Sequence, residues 1–105
     1  MDKENKNLDI LRSISNNPKT SQRELAKKLG FSLGKLNYCL KGLRDKGLIK
    51  FSNFKRNKNK INYIYILTPK GISEKTKLTI NFMHRKAIEY EELKKDLNKD
   101  SNEKI

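Results

Sequence analysis

Between Ser21 and Gly47 lie two short amphipathic runs joined by a tight turn, each opened by a serine and closed by a glycine. Ser21 followed by Glu24 forms a capping box, so a helix is expected from about Gln22 to Leu29. It would bury Leu25, Ala26 and Leu29, with Gly30 as its C-terminal cap. Phe31 then closes the turn. Ser32 can cap a second helix, about Leu33 to Lys46, which Gly47 ends.

The second of these helices is the more informative. Leu33, Leu36, Leu40 and Leu43 are spaced 3, 4 and 3 apart and form one apolar stripe. At about 100° per residue Tyr38 falls opposite that stripe, with Lys35, Lys41 and Gly42 around it. Asn37 and Arg44 lie on one flank and Cys39 on the other.

The surrounding chain completes the pattern. Leu8, Ile10, Leu11 and Ile14 put a helical apolar face on roughly Asn7 to Asn16, stopped by Asn17-Pro18. Leu48 to Phe54 and Ile61 to Leu67 are rich in Ile, Phe and Tyr. They flank a polar loop, Lys55 to Lys60, and read as a hairpin. Thr68 caps a last helix with Pro69 at its first position. From there to about Leu97 only Gly71, in the first turn, interrupts the helical reading.

The predicted class is mainly α with a small β-hairpin: a winged helix-turn-helix with a long C-terminal dimerisation helix. In residue terms this means a DNA-binding region over 1–68, the long helix over 69–97 and a disordered tail over 98–105. In such a fold the second helix of the pair enters the major groove and the first lies across the backbone.

Charge follows this division. Between Lys19 and Lys60 there are 13 Lys/Arg against 2 acids, which is +11 of the chain's total of +13. A surplus concentrated on one module is the electrostatic footprint of a nucleic-acid reader. With 34% hydrophobic residues over 105 positions, a monomeric core is expected to be small, which favours self-association. The longest mostly apolar run, Ile61 to Leu67, is too short to span a bilayer. The N-terminal MDKENKNLDI carries acids where a signal peptide needs positive charge, so a soluble, cytoplasmic chain is expected.

The run ELAKKLGFSLGKLNYCLKGLRDKGLIK resembles the reading head of MarR-type bacterial transcription regulators. The longer run NPKTSQRELAKKLGFSLGKLNYCLKGLRDKGLIK, with YILTPKG, is similar to the short MarR-like regulators associated with exopolysaccharide gene clusters. The resemblance covers roughly Leu8 to Tyr90 and implies DNA binding by Ser32 to Arg44, with the hairpin as wing. Two features depart from the broader MarR pattern. An Asn37-Tyr38 pair stands where many relatives carry Ser-Arg, and the chain has no extra helices to build the phenolic-ligand pocket of larger relatives. A small-molecule effector is left unassigned.

The residues support that reading independently. Tyr38 is a groove contact in this scheme, since its ring can pack on a thymine methyl while its hydroxyl reaches a phosphate. Lone surface aromatics are also common, but Lys35 and Lys41 beside it favour contact with DNA. Asn37 can pair with adenine or serve the fold. Thr20, Ser21 and Gln22 sit at a helix N-terminus, where free N–H groups suit a phosphate, though Ser21 can equally be only a cap. Gly42 on an exposed helix face costs about 1 kcal/mol relative to Ala, and reads equally as neutral drift or as room for the backbone to approach DNA closely. Lys55, Arg56, Lys58 and Lys60 at the hairpin tip point to phosphate or minor-groove contact.

On the long helix two series recur every seven residues: Ile72, Thr79, Lys86, Leu93 and Thr76, Met83, Tyr90, Leu97. Leu78 and Phe82 widen the apolar face early, where it packs on its own domain. A helix of roughly 44 Å exceeds what a domain this size can cover, and a second copy is the economical partner for its distal half.

Other chemistry is poorly supported. GFSLGKL has glycines one residue too close for a phosphate loop, and no Ser/Thr follows Lys35. His84 is the only histidine and Cys39 the only cysteine, far apart in sequence, so neither a metal site nor a disulfide within the chain is expected. Cys39 reads as packing. No cofactor motif and no nucleophile–base arrangement stands out. The partners expected are double-stranded DNA and a second copy, with no membrane. Two other readings use the same charge: a nonspecific architectural DNA-binding protein, and a winged-helix module docking an acidic protein.

Overall fold

The computed structural model describes residues 3–57 and 60–103, with side chains over 4–52 and 64–101. The order is α1 (Lys3–Asn16), α2 (Gln22–Leu29), α3 (Leu33–Asp45), β1 (Ile49–Asn57), β2 (Lys60–Leu67) and α4 (Pro69–Glu103). This is the expected helix, helix, helix, hairpin, long helix.

The helical periodicities place the core. Leu8, Ile10, Leu11 and Ile14 of α1 are buried against Leu25 and Ala26 of α2 and Leu36, Leu40 and Leu43 of α3. Leu48 and Ile49 close this core at the start of the hairpin, and Leu78 of α4 closes it from the other side. Leu33 departs from the expected stripe. At the first position of α3 it is 40% exposed, unlike Leu36, Leu40 and Leu43. Leu29 is only half-buried, at the end of α2.

Both serine caps form. Ser21 Oγ accepts from the Glu24 N–H and Ser32 Oγ from the Lys35 N–H, each at 3.1 Å. Gly30 ends α2 at φ 73°, a left-handed conformation that glycine adopts without steric cost.

β1 and β2 pair antiparallel, with Ile49 opposite Leu67 and Phe51 opposite Tyr65. The Phe51 and Tyr65 rings meet edge to face at 4.9 Å. The strands run further than expected. Lys55 pairs with Ile61 and Asn57 with Lys60, with a register shift between the two pairs, so most of the polar segment expected to be loop is strand. The inter-strand bonds run between backbone N–H and C=O groups, so pairing makes no demand on side-chain polarity.

α1 begins at Lys3, four residues before the expected start at Asn7. The Arg85 guanidinium on α4 holds that added turn, at 3.1 Å from Glu4 Oε2 and 3.0 Å from Asn5 Oδ1. α4 likewise continues through Glu103, past Leu97 and into the tail expected to be disordered. No glycine or proline follows Gly71 to stop it.

The first turn of α4 sits directly on the backbone at the end of α3. The Thr68 N–H donates to the Leu48 carbonyl at 3.0 Å and its hydroxyl to the Gly47 carbonyl at 2.5 Å. The same hydroxyl accepts the Gly71 N–H at 3.0 Å, which makes Thr68 the expected cap. A Cβ at Gly71 would overlap the Leu48 carbonyl oxygen. Gly71 is therefore a point of backbone contact between α4 and the helix pair.

Candidate nucleic-acid interface

The sequence builds α3 as a helix with two unlike faces. Leu36, Leu40 and Leu43 are at most 2% exposed, whereas Tyr38 on the opposite face is 81% exposed. Lys35, Asn37, Lys41 and Arg44 are exposed around it. Gly34 and Gly42 lie one turn before and after Tyr38, and a Cβ at either would meet nothing within 4 Å. The face is thus low apart from its tyrosine and cations. Cys39, on the flank, is half-buried and packs against the core as expected.

Lys35 is positioned by its own neighbourhood. Its ammonium lies 4.3 Å from the centroid of the Phe31 ring, a cation–π contact that draws the side chain toward the turn. The two remaining sides of this surface differ in their freedom to bind. Ser21 and Ser32 are exposed but have their hydroxyls engaged as caps. Thr20 is half-buried, and its N–H donates to the Asn17 carbonyl at 3.2 Å.

Gln22 opens α2 as expected and also makes a bond that the sequence did not suggest. Its Nε2 donates to the Tyr65 hydroxyl of β2 at 2.8 Å, a part-buried bond between the first helix of the pair and the wing. Its amide therefore braces the hairpin against α2 in this state. Lys58 lies outside the described residues, as do the side chains of Lys55, Arg56 and Lys60. The backbone of β1 and β2 carries those three positions next to the hairpin tip.

A shallow groove of about 600 Å³ runs between the N-terminal part of α1 and α3, lined by Lys6, Lys35, Tyr38, Cys39, Lys41 and Lys46 among others. Sequence reasoning did not single out Lys6 or Lys46. Lys46 was legible as part of the basic module. Lys6 carried no signal, since only the packing of α1 brings it to α3.

The residues assigned to self-association lie on α4. Met83, Tyr90, Leu93 and Leu97 are 63–67% exposed in the single chain. Thr76 and Thr79 donate their hydroxyls to the carbonyls of Ile72 and Lys75, at 3.1 and 2.7 Å. With those hydroxyls satisfied within the helix, their methyl groups can face an apolar surface at little cost. Among the described residues no His, Cys, Asp or Glu cluster could hold a metal ion, and no helix is long and apolar enough to cross a membrane.

Residues 4–50 match a family model described as winged helix-turn-helix DNA-binding. No functionally curated protein matches the sequence. Solved structures are similar in fold. MarR of Staphylococcus aureus, in complex with salicylate and kanamycin, is 22% identical with a TM-score of 0.64, over 82% of this chain and 57% of that one. Streptococcus pneumoniae FabT in complex with DNA is 24% identical with a TM-score of 0.57, over 80% of this chain and 59% of that one. The zinc-responsive MarR family member ZitR of Lactococcus lactis is 22% identical with a TM-score of 0.64, over 89% and 60%. The chain spans less than two thirds of the length of each of these proteins. By its fold, this chain is a winged helix-turn-helix protein built like the MarR regulators of known structure.

Proposed function

We propose that this chain is a sequence-specific DNA-binding transcription regulator of the MarR type, acting as a homodimer. The observation that carries the reading is the outer face of α3: one fully presented aromatic, Tyr38, between Lys35 and Lys41 on a helix whose other side is core. In the major groove such a face offers a ring for thymine methyls and cations for phosphates. Asn37 and Arg44 extend it along one flank. The basic hairpin follows the flanking backbone, and the +11 module draws the protein to DNA from a distance. This makes the chain a binder and not an enzyme, at work in the cytoplasm where its DNA is. That a protein of similar fold, FabT, is solved in complex with DNA supports DNA as the partner.

The homodimer rests on α4. The residues that meet its own domain, Gly71, Leu78 and Phe82, lie about 100° around the helix from Ile72, Met83, Tyr90 and Leu97. The second set faces away from the core. Two reading modules joined there would address the two halves of one site, as winged and other helix-turn-helix dimers do. The resemblance to exopolysaccharide-associated regulators extends the reading to control of exopolysaccharide or other cell-surface genes.

Selection of bound sequences from a random oligonucleotide pool is the test. A two-fold symmetric motif is the expected result. A flat profile at high affinity would overturn sequence-specific regulation in favour of an architectural role. No DNA retained at low salt would overturn both and point to an acidic protein partner.

A further inference from the structure

We propose that the second copy packs its α4 antiparallel to the first, with the twofold axis crossing near Lys86 and Ala87. The proposal rests on the homodimer reading above and adds a direction and a register to it. Its basis is an uneven distribution of charge along α4. From Lys70 to Lys86 the helix carries five basic residues and one acid, net +4. From Glu89 to Glu103 it carries six acids and three lysines, net −3.

This order opposes the helix's own macrodipole, which favours acids in the first turn and bases in the last. α4 has neither. Stabilisation of the isolated helix therefore does not explain the pattern. An antiparallel neighbour does, because it lays the acidic part of each helix along the basic part of the other. A parallel neighbour would set +4 beside +4 and −3 beside −3, and would bring the two +11 reading modules to the same end.

The exposed apolar residues fix where the helices cross. Ile80, Met83, Tyr90, Leu93 and Leu97 are 60% to 67% exposed. Reversing one copy about a point between Lys86 and Ala87 sets Met83 level with the partner's Tyr90. The same register pairs Ile80 with the partner's Leu93 and Thr76 with the partner's Leu97. On one flank, Lys75 then comes level with the gap between the partner's Asp96 and the partner's Asp100. One register thus serves both the apolar pairs and the Lys75 flank, while Lys86 at the crossing keeps its own Glu89 at 3.1 Å.

The test places single spin labels at Asn98→Cys and Ala87→Cys in the full chain with Cys39→Ser, and reads the distance between copies by pulsed dipolar spectroscopy. Cys39→Ala replaces Cys39→Ser if the serine unfolds the domain. Sedimentation at the same concentrations reports the oligomeric state. The antiparallel register separates the two Asn98 sites by about 35 Å along the helices and brings the Ala87 sites close together. Short distances at both sites in a sedimenting dimer would overturn the antiparallel proposal and leave the dimer standing. A monomer at every concentration would overturn both.

A label-free measurement reads the same question by sign. Asp96→Lys with Asp100→Lys should raise the dimer dissociation constant about tenfold at low salt if the helices are antiparallel. A tighter dimer in that variant would indicate parallel helices and defeat the proposal.

Discussion

Tyr38 is the residue on which the reading turns. It has no packing duty to explain its place, being 81% exposed with open space above Gly34 and Gly42 on either side. Tyr38→Ala should therefore leave stability within about 0.5 kcal/mol of the parent. It should reduce the preference for a selected site over random DNA by roughly 1–3 kcal/mol. Titrations on both DNAs check this, and equal losses on the two would move Tyr38 from base to backbone. Lys35 is a less clean probe because truncation also removes its cation–π pairing with Phe31. Gly42→Ala separates two effects at one position. A methyl there meets nothing in the protein, so urea unfolding should show a gain of about 1 kcal/mol from helix propensity alone. Unchanged DNA affinity in that variant would mean the glycine is drift, and a loss would mean the helix backbone lies close to the groove.

The junctions between elements carry constraints that no single helix or strand shows. α4 rests on the end of α3 through Thr68 and Gly71, with the Leu48 carbonyl between them. Gly71→Ala drives a Cβ into that carbonyl, where neighbouring backbone has no side-chain rotamer with which to give way. A loss of about 3 kcal/mol, read by thermal or urea unfolding, is expected despite alanine's better helix propensity. The two glycine-to-alanine changes thus have opposite signs in one protein. The wing is the other junction, held to α2 by the Gln22–Tyr65 bond and to itself by the Phe51–Tyr65 pair. Replacing Lys55, Arg56, Lys58 and Lys60 together with Ala should weaken all DNA alike. The slope of log K against log salt should become less steep by up to about 0.9 for each phosphate that the wing no longer neutralises. A variant that titrates with salt as the parent does would remove the hairpin from the interface.

At the scale of the whole molecule the chain is a small head on a long rod. Its extents are 72 × 26 × 23 Å and its radius of gyration is 18.8 Å, against about 13 Å for a compact chain of this length. The excess is α4, whose distal residues from Glu89 onward are exposed all round. A solitary helix of this kind, with its large apolar residues in water, gains little from folding alone, and a partner supplies the missing burial. Met83→Lys with Tyr90→Lys would bury unpaired charge in that seam, at a cost of several kcal/mol. Sedimentation at micromolar concentration should show a dimer for the parent and a monomer for the variant, while circular dichroism reports an intact head. A parent that sediments as a monomer, or a variant that remains a dimer, would show that α4 is not the seam.

Local chemistry was legible in the sequence wherever it was self-contained. The serine caps, the Gly30 stop, the leucine side of α3 and the outward Tyr38 all follow from spacing within one turn or one face. The helix-turn-helix and its hairpin could therefore be read from periodicity and caps alone. The strand extension into Lys55–Asn57 and the helix beyond Leu97 were missed because polar segments carry no burial signal, although backbone pairing can continue through them. Other facts depended on residues far apart in sequence. Gln22 meets Tyr65 across 43 positions, Arg85 reaches Glu4 across 81, and Lys6 joins the groove beside α3. Gly71 looked like a weak point in a helix and proved to be where two backbones touch. Periodicity, caps and charge thus determined which elements form and which face of each is polar. The contacts between those elements depend on the relative placement of surfaces distant along the chain, and that only tertiary packing decides.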